Sequence, residues 1–184
     1  MNLTRRHALL SASALIPAAV AGCSLFTETT TNGVTTITVN VAQISAWGQA
    51  FANGAALIAA LPVVAPTPTG LAILALSKGI SADLAAFSAA AGGSLTLSFN
   101  STSVPAAVSS LLTDGKTLLT DAGEALGSVA ASVVSTAQTY ITAIETIVSL
   151  FEVAVGSMAA SATLNAPKMS ESDALKTLGV PATH

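Results

Sequence analysis

The chain has 184 residues, of which 52% are hydrophobic and only 8% are charged, whereas soluble domains usually carry about 25% charged residues. Beyond residue 22 it has four lysines, nine carboxylates and no arginine, which gives a formal charge of −5. So few cations cannot neutralise a row of phosphates, and a chain without arginine has no bidentate phosphate ligand. Composition therefore argues against nucleic acid as a partner and against electrostatic binding to anionic lipid headgroups.

The first 23 residues have the three parts of a bacterial export signal: a basic head, an uncharged apolar stretch over 8–21 and a small-residue cleavage site. Cys23 follows the cleavage site and is the only cysteine of the chain, so no intramolecular disulfide can form. This closing segment resembles the lipobox of bacterial lipoproteins, in which the cysteine after the cut is acylated. We therefore predict lipidation of Cys23 after three signal residues: Val20, Ala21 and Gly22.

The basic head carries Arg5 and Arg6, and it resembles a twin-arginine signal. The general secretory route stays open, because ordinary export signals also begin with basic residues and Ala8 stands where phenylalanine is usual. The lipoprotein resemblance implies that residues 1–22 are removed and that three acyl chains anchor the protein to a membrane. Because Ser24 rather than aspartate follows the cysteine, it further implies the outer membrane, with the protein facing the periplasm.

Two segments are expected after the signal: a lipidated, threonine-rich tether or hairpin over 23–36 and a single helical domain over 37–184. Asn32-Gly33 between β-branched residues favours a type I′ hairpin with arms Thr27–Thr31 and Val34–Val39. An extended tether is the alternative. Farther along, three apolar residues alternate with polar ones and predict a third, half-buried strand: Leu95, Leu97 and Phe99.

From about Asn40 the apolar period changes from 2 to 3.6, which predicts four amphipathic helices with short connections. The expected fold class is mainly α: an antiparallel four-helix bundle with a short terminal helix and a minor β-hairpin or three-stranded element. Pro62 ends the first helix, the second spans about Thr69–Ala91, the third begins near Ser103 and the fourth runs from Ser128 to about Ala162.

Two helix ends have specific local signals. Asp121 and Glu124 fit a capping box, so the fourth helix has an alternative, earlier start. Ser170 and Asp173 fit an S-x-x-D cap of a last short helix, which Gly179 and Pro181 end. The aromatic residues Trp47, Phe51, Tyr140 and Phe151 lie on the apolar stripes and are predicted core residues. The stripe expected for the fourth helix comprises Val129, Val133, Thr136, Tyr140, Ile144, Ile147, Phe151, Val155 and Met158.

No catalytic set can be assembled from the mature chain, in which His184, the last residue, is the only histidine. Conventional serine or cysteine hydrolase arrangements therefore lack a base, and a zinc site lacks clustered ligands. Gly115-Lys116-Thr117 resembles the end of a phosphate loop, but the glycine expected five residues earlier is Ser110. We expect no cofactor, no metal and no enzymatic activity.

The carboxylates are expected on solvated helix faces. Asp114, Asp121 and Glu124 cluster on the third helix, and Glu145 and Glu152 are placed opposite the apolar stripe of the fourth.

The sequence thus predicts a lipid-anchored cell-envelope protein with a non-catalytic role in binding or assembly, through protein partners or self-assembly. One alternative is a membrane-inserting or pore-forming protein, because residues 54–76 are uncharged and long enough to cross a bilayer. Another is a carrier that holds a small apolar ligand in the bundle core.

Overall fold

The computed structural model describes residues 26–31, 34–100, 106–127, 131–156 and 167–181. Over these residues the protein is mainly helical with a small antiparallel sheet, as the sequence predicts. The elements in chain order are β1 (Phe26–Thr31), β2 (Val34–Asn40), α1 (Val41–Ala59), α2 (Pro68–Ala91), β3 (Thr96–Asn100), α3 (Ala106–Leu126), α4 (Ala131–Gly156) and α5 (Glu171–Thr177).

The sheet has the order β1-β2-β3, and both neighbouring pairs are antiparallel. Phe26 pairs with Val39 in the first pair, and Asn40 pairs with Thr96 in the second. The predicted hairpin arms and third strand are therefore confirmed, while the turn residues 32 and 33 lie outside the described residues. β2 passes through the expected boundary at residue 36 and leads directly into α1, so the sheet is continuous with the helical domain.

Short polar side chains set the starts of the first two helices. The Asn40 Oδ1 atom accepts hydrogen bonds from the backbone N–H groups of Ala42 at 2.9 Å and Gln43 at 3.3 Å, which caps α1. The Thr67 Oγ1 atom accepts from Gly70 N at 2.9 Å and caps α2. Gly92 ends α2 with φ of 58°, a left-handed conformation that glycine adopts without steric cost.

The later helices correct one expectation. α3 continues unbroken to Leu126, so the earlier start of the fourth helix at Asp121 and Glu124 is wrong. α4 begins at Ala131, and its 26 residues make a rod of about 39 Å. The helix start predicted at Ser103 and the ends predicted for α4 lie outside the described residues. The terminal helix is confirmed, because Ser170 Oγ accepts from Asp173 N at 3.2 Å.

The buried face of α4 differs in part from the predicted stripe. Thr136 is exposed and Tyr140 is only half-buried, whereas Ala137 and Ile141 are buried. Positions 137 and 141 continue the three/four spacing toward Ile144 as well as the predicted positions do. A small alanine carries little hydrophobic signal, so the sequence pattern did not separate the two phases.

α1 lies at the centre of the helical core. It contacts each of the other four helices, while α2 contacts α3, α3 contacts α4 and α4 contacts α5. Trp47 and Phe51 of α1 and Phe151 of α4 are fully buried. The ring centroid of Phe151 lies 5.2 Å from that of Trp47 and 6.1 Å from that of Phe51, within the range of favourable aromatic pairs. Three of the four predicted core aromatics thus form one cluster.

Gly115 lets α3 approach this cluster. A Cβ atom at Gly115 would lie 2.8 Å from two ring carbons of Phe51, closer than real Cβ contacts. On the same helix, a Cβ atom at Gly123 would meet nothing within 4 Å. The absence of a side chain therefore serves packing at the first position, whereas at the second it only weakens the helix.

This difference predicts opposite effects of one substitution at two sites on α3. Gly115→Ala should lower the free energy of unfolding by about 1–2 kcal/mol, because the clash with the buried Phe51 ring outweighs the gain in helix propensity. Gly123→Ala should raise it by about 0.5–1 kcal/mol. Urea unfolding of the chain beginning at Ser24 measures both values. Stabilisation by both substitutions would show that the ring does not contact Gly115.

Candidate functional site

The residues predicted to direct export and lipidation lie outside the described residues: Arg5, Arg6, Val20, Ala21, Gly22 and Cys23. Chain geometry nevertheless limits where an anchor can attach. Only three residue steps separate Cys23 from Phe26, a reach of about 11 Å. Because Phe26 pairs with Val39 beside the start of α1, a lipid at Cys23 would be tethered to the end of the domain where the sheet meets α1.

An exposed leucine lies at the same end. The Leu95 carbonyl accepts a hydrogen bond from Val41 N at 3.0 Å, which joins the segment before β3 to the start of α1. The sequence placed Leu95 on a half-buried face with Leu97 and Phe99. Those two residues are half-buried, but Leu95 precedes β3 and is 85% exposed, so that expectation is wrong for Leu95.

α2 has an outward apolar face. Its inner face is anchored by the fully buried side chains of Ile73, Ile80 and Phe87. Among the described helices, α2 is the one long and apolar enough to span a bilayer, yet only 22% of its most apolar 18-residue window is buried. Leu71 is 65% exposed and Leu74 43% exposed. We name the outward stripe of small residues the α2 face; all of its members are exposed: Ala72, Ala75, Gly79, Ala82, Ala86 and Ala89.

Two charges flank the α2 face. Lys78 is exposed and makes no ion pair with any residue that the structure describes. Asp83 is half-buried on the side of α3, where it interacts with another carboxylate rather than with a cation. Partial burial raises the pKa of Asp114 on α3 above its ordinary value, and the negative charge of Asp83 raises it further. Asp114 was expected on a solvated face, but it is half-buried between α3 and α2.

The raised pKa predicts a pH-dependent cost in stability. Because the folded state binds the Asp114 proton more tightly than the unfolded state, protonation of Asp114 favours folding. This contribution to stability is fully present below the ordinary pKa and is lost as the pH rises through the folded pKa. Asp114→Asn should therefore raise the free energy of unfolding at pH 7 by less than about 1 kcal/mol, because solvent screens the charges. At acidic pH it should give no increase.

Urea unfolding at pH 7 and pH 3 measures this effect, with Asp121→Asn, one heptad along the same helix, as the matched control. An equal stabilisation by Asp114→Asn at both pH values would contradict the account.

The second feature is a groove of about 670 Å³ between α3 and α4. An ion pair joins Lys116 Nζ to Glu152 Oε1 at 2.7 Å, and another joins Lys168 Nζ to Glu145 Oε2 at 2.7 Å. Leu119 and Val148 contribute apolar lining between the two pairs. The groove thus presents two carboxylates that are paired with lysines, and its hydroxyls, those of Thr120 and Ser149, each donate to a backbone carbonyl of their own helix.

This groove corrects the expectation that Glu145 and Glu152 lie opposite the apolar stripe. Their side chains are 32% and 31% exposed and lie along the border with α3. Lys116 is inside α3, next to the Gly115 that packs against Phe51. The segment that resembles a phosphate loop is therefore helical. The lysine partners were missed because each lies on another segment, and sequence spacing gives no signal for such a pair.

A third polar contact attaches α5 to α1. The Glu171 Oε1 atom accepts hydrogen bonds from Trp47 Nε1 at 2.8 Å and from Gln43 Nε2. At the other end of α5, Asn53 Nδ2 donates to the Leu178 carbonyl at 2.9 Å. These bonds satisfy the polar side-chain groups that α1 presents to α5, so Glu171 has a structural role.

Within the described part of the chain, no three His, Cys, Asp or Glu residues lie close enough to hold a metal ion. Comparison of the chain with protein-family models, with curated proteins and with solved structures found no match. The α2 face and the groove between α3 and α4 are therefore judged on their own chemistry.

Proposed function

We propose that the protein is a lipid-anchored component of the bacterial cell envelope, held at Cys23, with a non-catalytic role in binding or assembly. The observation that supports this role best is the α2 face. α2 is apolar on nearly all sides, yet most of its residues are exposed to water. This exposure costs free energy unless another surface covers the helix. The groove between α3 and α4 supports catalysis less well, because its carboxylates are already paired with lysines.

The place of Phe26 in the sheet supports this proposal. An anchor at Cys23, three residues before Phe26, would lie at the end of the domain that carries exposed Leu95. A leucine at that end would meet the membrane surface rather than bulk water. From Gly92, at the sheet end, α2 extends about 36 Å back to Pro68, and it carries Leu71 and Leu74 away from the anchor. We propose the outer membrane, on its periplasmic side, as the location.

We further infer that α1 to α4 form an antiparallel four-helix bundle. Support comes from the contacts, because α1 and α3 each contact both α2 and α4. Short connections between consecutive helices also favour antiparallel neighbours.

Insertion of α2 into the membrane is the second candidate, because α2 meets the length and composition of a spanning helix. The segment 54–76, which the sequence suggested, is a poorer candidate, since Ala55, Ile58 and Val64 within it are fully buried. An export signal without a lipobox, put in place of residues 1–23, separates the two candidates. Extraction by alkaline carbonate is expected for the anchored domain, whereas retention in the membrane would favour insertion.

The anchor itself is tested by metabolic labelling with palmitate. We expect the wild-type chain to incorporate the label and Cys23→Ser to lose it, because the Cys23 sulfur is the attachment point of the lipid. Arg5→Lys with Arg6→Lys keeps the charge and the lipobox, so it tests the export route separately from the cysteine. It should block export if the twin-arginine route is used and leave export unchanged if the general route is used. Equal labelling of wild type and Cys23→Ser would overturn the proposal.

A further inference from the structure

We infer that the α2 face binds the same face of a second copy of this chain, with the two α2 helices parallel. This inference rests on the proposed function, because it takes the membrane anchor as the reason why two copies share one orientation. It names the occupant of the α2 face and the charges that select it.

The α2 face has the spacing of a helix-pairing surface. Its members recur at alternating intervals of three and four residues from Ala72 to Ala89, and all are exposed. At 100° per residue this stripe lies on the side of α2 opposite Ile73 and Ile80, which pack on the core. Small side chains alone do not identify a partner, but the charges beside the stripe indicate which partner fits it.

Lys78 and Asp83 lie on opposite borders of the stripe, because five residues turn an α-helix by about 140° from the starting direction. In a parallel pair of helices, a residue on one border of the stripe lies beside a residue of the other helix. That second residue is five positions later in the sequence and lies on the opposite border. Lys78 of each copy therefore lies beside the partner's Asp83, and the two-fold axis makes this ion pair twice. By the same relation, exposed Leu71 would lie beside the partner's Leu76, which is half-buried against the core of its own chain.

The antiparallel arrangement is disfavoured by the same charges. When the stripes are aligned in reverse, so that Ala72 meets the partner's Ala89, Lys78 lies beside the partner's Ala85 and Asp83 beside the partner's Leu76, and neither charge gains an opposite one. Asp83 already lies near Asp114 of its own chain, and no described residue forms an ion pair with Lys78. A parallel pair would give the acidic pair a nearby cation and would give Lys78 a carboxylate.

The size of the contact indicates that pairing depends on the membrane. A stripe about 27 Å long and about 10 Å wide buries about 270 Å² per copy, roughly a third of the 800 Å² typical of a stable interface. Two copies anchored at the same end in one membrane gain a high effective concentration, which compensates for a small contact. They also have their sheet ends together, as parallel α2 helices require.

The test uses the full chain in its own membrane, with cysteines introduced on α2. Ala89→Cys lies on the stripe, where two copies meet only in the parallel arrangement, and Ser88→Cys is an exposed matched control that points away. Under copper-phenanthroline oxidation, Ala89→Cys should give several-fold more disulfide-linked dimer than Ser88→Cys. Equal linkage at the two positions would indicate random collision and would overturn the inference.

Charge reversal tests the selectivity of the contact. In the Ala89→Cys background, Lys78→Glu should lower the linked fraction several-fold, and adding Asp83→Lys should restore it. A disulfide between Ala72→Cys and Ala89→Cys copies without one between two Ala89→Cys copies would show antiparallel pairing and refute the proposal. No linkage together with protection of Ala89→Cys from a water-soluble maleimide would show that lipid covers the face, which also refutes it.

The palmitate label keeps this inference separable from the proposed function. A labelled protein that fails to link through Ala89→Cys refutes the pairing but leaves the anchor intact. A disulfide between the Cys23 residues of two wild-type chains would show that the thiol is free. That result would refute the anchor independently of any pairing through α2.

Discussion

The contact between the Phe51 ring and Gly115 is the constraint on which the packing of this domain depends. Phe51 is fully buried, lies near Phe151 of α4 and occupies the space that a side chain at position 115 would need. It brings α3 close to α1 on one side while the Trp47–Phe151 pair holds α4 on the other. α1 contacts all four other helices, and its many alanines and glycines leave room for the large side chains that those helices and α1 itself contribute to the core.

The outward face of α2 follows from this arrangement. α1 and α3 contact α2 on the side of Ile73, Ile80 and Phe87, whereas most residues on its opposite side are exposed. In most soluble proteins that surface would carry charges, but α2 has only Lys78 and Asp83. The fold thus leaves an apolar helix exposed. Under the proposed membrane anchoring, a second copy would cover this helix and lower the free-energy cost of its exposure to water.

The sequence predicted the features that are coded locally. The S-x-x-D cap at Ser170 and the glycine stop at Gly92 each involve residues within one turn, so their chemistry is visible in the sequence. The phase of α4 and the pairing of Lys116 with Glu152 depend on which residues of another segment come into contact, and spacing along one chain does not contain that information. For the candidate site, composition alone indicated a chain poor in charge, whereas the exposure of α2 and the acidic neighbour Asp114 appeared only with the packing. The lipidation of Cys23 remains a prediction from the sequence.

A double-mutant cycle between Phe51 and Gly115 tests the central contact most directly. Phe51→Leu removes the ring edge that a Cβ atom at position 115 would strike, so the destabilisation by Gly115→Ala should be smaller in the Phe51→Leu background than in the wild type. A coupling energy of about 1 kcal/mol or more between the two substitutions, measured by urea unfolding, is the result that the structure predicts. Costs that simply add would show that the ring and the glycine do not meet, and the central position given to α1 would be contradicted.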